Sequence, residues 1–186
     1  MEALFSNLGS ICLKMGVFKR AVKKAKKTPV KNSRNAKYIM QGNAFYNLGM
    51  FKKAIKSYNR ALKSNPDDDN IHFNLGNSYK SLNMFKEALK SYKYVVHIKP
   101  NNAKAHYCLG LAYGKLAMYK QAINSLNQSI TIDSHNANAH YNLAVIHLTL
   151  QNRSAAINEY KILNNLSPDL AGKLSELINS QKNDND

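Results

Sequence analysis

Histidine is the side chain most able to bind a metal or move a proton near neutral pH, and this chain has six. Three of them, His72, His106 and His140, are spaced 34 residues apart, in the stretches "HFNLGNSY", "HYCLGLAY" and "HYNLAVIH". Residues that far apart, repeated in the same context, suit one packing role used three times better than one shared metal. His140 and His147 fall on one helix face, but neither a carboxylate nor a cysteine stands near them in the sequence to complete a ligand set. Cys12 and Cys108 form no knuckle or disulfide framework, and buried apolar thiols in a reducing, cytoplasmic setting are expected. The acids of "PDDD", Pro66–Asp69, read as a loop in which Asp68 or Asp69 caps the next helix. No glycine-rich phosphate loop follows a strand, and no serine, histidine and carboxylate fall into a supported constellation. The expectation is no enzyme, no metal and no cofactor.

The interval of 34 organises the rest of the chain. Gly42, Gly76 and Gly110 align, with Ala144 in the fourth copy; Ala54, Ala88, Ala122 and Ala156 align. Phe45, Tyr79, Tyr113 and His147 align, as do Tyr58, Tyr92, Leu126 and Tyr160, and Pro66, Pro100 and Pro168. The units are 35–68, 69–102, 103–136 and 137–170. Each reads as two helices. In the second unit Ile71, Leu75, Tyr79 and Leu82 keep helical spacing. After "NMF", Ala88, Leu89, Tyr92, Val95 and Val96 make another stripe, which Pro100 ends. One such hairpin cannot bury both apolar faces, so stacking is required. The small residues Gly76 and Ala88 are placed for close helix approach, with Tyr79 and Tyr92 filling the space beside them.

The ends are irregular copies. Residues 1–34 repeat the Leu8–Gly9 step, and "GVFKRAV" echoes "GMFKKAI", but the second helix there is mostly Lys and Ala. Residues 171–186 read as a capping helix and tail, with Asp169 as N-cap and Leu170, Leu174, Leu177 and Ile178 as the apolar side. No apolar run is long enough for a membrane span. The opening "MEALFSNLGS" gives no sign of a secretory leader.

Leu75–Gly76, Tyr79, Ala88, Tyr92 and Pro100 follow the spacing of the tetratricopeptide repeat family, which the chain resembles over 35–170 and more loosely over 2–34. The resemblance implies an all-α, right-handed superhelix, or solenoid, of stacked helix-turn-helix hairpins. It also implies a concave groove, lined by the first helix of each hairpin, that holds a peptide or helix of a partner protein. The groove residues it implies are Ile39, Asn43 and Tyr46; Phe73, Asn74 and Asn77; Lys104, Tyr107, Cys108 and Leu111; and Tyr141, Asn142 and Val145. Lys115 and Thr149 extend the last two sets. Asparagine offers donor and acceptor to a peptide backbone, and aromatics add buried area. Family members that clamp a C-terminal carboxylate are matched at Asn43, Asn74 and Lys104. Ile39 stands where that clamp has a lysine and Cys108 where it has an arginine.

Charge is the second feature. The net charge is +16, and residues 1–65 hold 15 Lys/Arg against the single acid Glu2. The basic patch is Lys19, Arg20, Lys23, Lys24, Lys26, Lys27, Lys31 and Arg34. A charge run is often no more than a solvated helix face, and a drift in composition toward Lys and Asn would have the same look. A functional patch of this sign attracts an acidic protein or a membrane surface. Nucleic acid fits less well, since Phe18 is the one aromatic among the lysines from Lys14 to Lys37. Two further alternatives belong here. The irregular first hairpin could dock into a neighbour's groove and build homo-oligomers, as in family members that coat magnetosome membranes. The chain could also be a basic repeat protein associated with nucleic acid.

Overall fold

A computed structural model describes residues 33–183. The basic-patch residues from Lys19 to Lys31, the irregular first copy and Cys12 lie outside the described residues. The described chain is all-α: α1 (Ser33–Asn47), α2 (Phe51–Leu62), α3 (Asp69–Ser81), α4 (Phe85–Ile98), α5 (Ala103–Lys115), α6 (Tyr119–Ile132), α7 (Ala137–Thr149), α8 (Arg153–Leu166) and α9 (Pro168–Asn183). Consecutive helices pair as hairpins, and the described residues form two compact units, one ending at Tyr94 and one beginning at Val95, with the boundary inside α4.

Each hairpin turns by the same device. The first helix ends on a residue in the left-handed region: Gly49 (φ 73°), Asn83 (58°), Ala117 (55°) and Gln151 (58°). At the first turn, Gly49 N–H donates to the Tyr46 carbonyl and Met50 N–H to the Phe45 carbonyl, at 2.9 and 2.8 Å. The same pair of bonds recurs at Asn83–Met84, Ala117–Met118 and Gln151–Asn152. This is the Schellman arrangement, which satisfies the last carbonyls of a helix. Starts are equally regular. Asp68, Asn102 and Asn136 accept from the backbone N–H three residues on, at 3.0, 3.0 and 3.1 Å. The expected Asp68 cap is therefore present, and Asn takes its place in the next two copies.

The close approach inside a hairpin is set by glycine against a ring. A Cβ on Gly76 would lie 2.6 Å from Tyr92 Cε1, and one on Gly42 would collide with the Tyr58 ring. At Gly110 the obstacle is the Leu126 side chain, at 2.6 Å. In the first unit, Ala54, Tyr58, Ala61, Ile71 and Leu75 form the core. In the second, Ala144, Leu148, Ala156 and Leu163 pack with Ala171, Leu174 and Ile178 of α9.

That last cluster makes α9 the capping helix, with differences from the sequence reading. The helix starts at Pro168, the first-turn position that proline tolerates. Asp169 therefore lies within the first turn, where its charge suits the helix dipole, rather than at the cap. Leu177 is 39% exposed and stands outside the packed face. Arg153 Nη1 donates to the Ile178 carbonyl at 2.5 Å, tying α8 to α9.

Candidate functional site

The periodic histidines settle first. His72 Nε2 bonds the Pro66 carbonyl and His106 Nε2 the Pro100 carbonyl, both at 2.8 Å; His140 Nε2 bonds the Ser134 carbonyl at 3.3 Å. Each ring clips the loop that enters its own helix, so the 34-residue spacing is the spacing of a structural bond. His140 has a second partner that the local sequence did not disclose. Its Nδ1 meets Glu159 Oε2 at 2.6 Å, from 19 residues away on α8. The expectation that no carboxylate joins His140 is thus corrected. Among the described residues no group of three potential ligands gathers to hold a metal.

In the first unit the implied groove residues are bonded to one another and to the core. Asn43 Oδ1 accepts from the Tyr58 hydroxyl at 2.7 Å and from Asn74 Nδ2 at 3.3 Å. Asn77 Oδ1 accepts from the Tyr92 hydroxyl at 2.7 Å. The ring of Phe73 lies 5.8 Å from that of Tyr92. Ile39 and Tyr46 are half-buried and pack against the core, and Tyr46 meets Phe51 edge-on at 5.4 Å. Burial pushes the Tyr58 hydroxyl well above the usual tyrosine range, with neighbouring Tyr46 adding to it. Arg34 lies in α1.

The second unit holds an open cavity of about 210 Å³ between α5 and α7. Its apolar lining is Leu111, Val145 and Ile146, with bare backbone at Gly110 and Gly114. Lys115, Tyr119, Asn142 and Thr149 supply the polar lining. Five implied groove residues, Leu111, Lys115, Asn142, Val145 and Thr149, are thereby brought together. Tyr107 joins them through its hydroxyl, which accepts from Asn142 Nδ2 at 3.3 Å. The other Asn142 N–H donates to the Asn138 carbonyl at 2.7 Å. With both donors used, Asn142 Oδ1 is the atom left to accept from a ligand. Burial raises the Tyr107 hydroxyl above the ordinary range, the Cys108 thiol adds to the rise, and the Asn142 bond opposes it. Tyr107 is therefore neutral at physiological pH.

The remaining candidates in this unit fall elsewhere. Cys108 is 6% exposed and offers almost no surface. Tyr141 packs against the core shared by α7, α8 and α9. Lys104 lines a separate, loop-side cavity with Lys99 to Ala103 and Asp133. As groove residues, the sequence reading missed Gly110, Gly114, Tyr119 and Ile146. A signal for Tyr119 exists: Phe51, Phe85 and Tyr119 are an aromatic column directly after the hairpin turn.

A chain of two-helix units joined by Schellman turns, with glycine packed on a ring and histidine clipping each loop, defines a helical-repeat protein. The TPR repeat profile matches residues 42–83, 76–116 and 118–151. The chain belongs to the tetratricopeptide repeat family. Solved structures agree in fold. MamA residues 41 to the end, from Desulfovibrio magneticus RS-1, align with a TM-score of 0.75 at 24% identity over 90% of this chain and 95% of that one. A double mutant of MamA RS-1 gives 0.75 at 25% identity, over 90% and 94%. YrrB, described as a TPR protein with an unusual peptide-binding site, gives 0.72 at 21% identity, over 94% and 88%. The comparison with curated proteins gave no match.

Proposed function

We propose that this chain is a non-catalytic docking scaffold that holds a peptide or helix of a partner protein along the first helices of its hairpins. The cavity between α5 and α7 carries the reading. Its volume of about 210 Å³ suits one apolar side chain of a ligand. Leu111, Val145 and Ile146 supply apolar area, while Asn142 Oδ1 stands at the rim to accept a backbone N–H. Recognition of this kind combines a side-chain pocket with a main-chain hydrogen bond. The peptide-binding site of YrrB, a protein of the same fold, supports the reading. The basic N-terminal residues would add attraction for an acidic partner, a contribution that salt weakens.

The experiment is selection of a peptide from a random library on the full chain, followed by affinity measurement against Val145→Arg. The long side chain would occupy the cavity from a half-buried position. A loss of tenfold or more is expected, and equal affinity for the variant contradicts the reading.

A further inference from the structure

Helix α2 breaks the ordinary rules of helix charge. Its solvent side carries Lys52, Lys53, Lys56 and Arg60, with Lys63 at the C-cap, all exposed. Its opposite side buries Ala54, Ser57, Tyr58 and Ala61. The first turn holds two lysines and no acid, the wrong sign for a helix N-terminus. Lys52–Lys56 and Lys56–Arg60 are like charges four residues apart, which oppose each other. No acid occurs from residue 33 to 66, and Lys52, Lys56 and Lys63 form no ion pair among the described residues. Arg60 and Lys63, at the C-terminal end, suit the dipole, but the lysines of the first turns work against the helix that carries them.

Drift in composition does not account for it, because the same places in a later copy serve as an internal control. Positions 52, 53, 56, 60 and 63 correspond to 120, 121, 124, 128 and 131, which are Lys, Gln, Asn, Gln and Thr. One cation remains of five. The full set of five cations is confined to α2; in the next hairpin two recur, at exposed Lys86 and Lys90, with Glu87 between them.

We infer that the outer face of α2 docks onto a membrane surface rich in anionic phospholipid. Three observations favour lipid. Met50, at the head of the helix, is 38% exposed, and its repeat counterparts Met84 and Met118 are exposed too. In α2 alone this apolar group stands at the head of a row of five cations, where it can enter the interface while they meet the headgroups. Four of the five cations are lysines, flexible point charges that suit a diffuse plane of charge. The rings beside these charges are already engaged, which disfavours stacking on nucleic-acid bases. Phe51 meets Tyr46 edge-on at 5.4 Å, Phe45 lies under Lys53 and Tyr38 under Arg60, both at 5.7 Å, and Tyr58 is buried.

The test is co-sedimentation of the full chain with phosphatidylcholine vesicles, with and without phosphatidylserine, alongside a homopolymeric RNA shift assay. The variants are Lys52→Gln/Lys56→Gln/Lys63→Gln and Met50→Ser, each checked for unchanged helicity by circular dichroism. Binding should require phosphatidylserine. The triple variant should bind on the order of a hundredfold more weakly, at about 1 kcal/mol per lysine, and Met50→Ser a few-fold more weakly. Four results would overturn the inference: no vesicle binding, binding indifferent to phosphatidylserine, a triple variant equal to wild type, or RNA binding without vesicle binding.

Discussion

At the scale of single residues, one pairing explains what composition obscured. Asn43 and Asn77 are spaced 34 apart, and each holds the hydroxyl of a tyrosine 15 residues later, Tyr58 or Tyr92. Where Tyr becomes Leu126, the Asn position becomes Leu111; in the fourth copy Tyr160 is kept but only half-buried, and the Asn position is Val145. The asparagines therefore answer to a buried hydroxyl before they answer to any ligand, since a buried polar group without a partner is costly. This has a measurable consequence. Tyr58→Phe should cost about 1 kcal/mol at neutral pH, the worth of one hydrogen bond. The folded-state hydroxyl of Tyr58 is raised above its unfolded value of about 10. Its contribution is accordingly complete below that pH and declines as the pH rises above it. Urea titrations at neutral and alkaline pH should show the Phe variant losing less stability on the alkaline side than wild type. A parallel decline would show that Tyr58 is not the group concerned. The pairing was faint in the sequence, because the two columns change together in three copies and part company at Tyr160 and Val145. The His140–Glu159 bond was not visible at all, because nothing in residues 19 apart signals that two helices bring them together.

At the scale of elements, the hairpin was readable because its period is carried by small residues and rings that packing demands. Gly42, Gly76 and Gly110 sit against Tyr58, Tyr92 and Leu126, so the columns reflect contacts. The turn was less readable. Gly49 advertises a left-handed residue, whereas Asn83, Ala117 and Gln151 adopt the same conformation without glycine's signature. Ala117, exposed and at φ 55°, is the clearest conflict between residue and backbone. A non-glycine residue there costs roughly 1–2 kcal/mol, partly offset by the greater unfolded-state freedom of glycine. Ala117→Gly should therefore stabilise the protein by about 1 kcal/mol, and thermal unfolding should show a rise of a few degrees. A lower melting temperature would mean that the turn gains from its methyl group. The capping helix was legible as an amphipathic stripe, but its start was not. Proline ends helices in the Pro66 and Pro100 positions and begins one at Pro168, and local sequence alone does not separate these uses.

At the scale of the whole molecule, the repeats divide the work between the two units. The first unit carries the Asn–Tyr bonds and the exposed lysines of α2; the second carries the cavity between α5 and α7. The repeat reading gave the helices that should face a ligand, yet it could not tell which side chains would be consumed internally. Tyr141 and Cys108 were taken by packing, while Leu111, Asn142 and Val145 stayed at an opening. That outcome depends on side-chain volumes in neighbouring repeats, which a single column does not encode. Docking through this opening is the central claim. Its most direct measurement is the change in backbone amide NMR shifts when the library-selected peptide is titrated into the full chain. The account predicts that the largest changes cluster at Leu111, Lys115, Asn142, Val145 and Thr149. Changes confined to other surfaces, with those five amides unmoved at saturation, would contradict it.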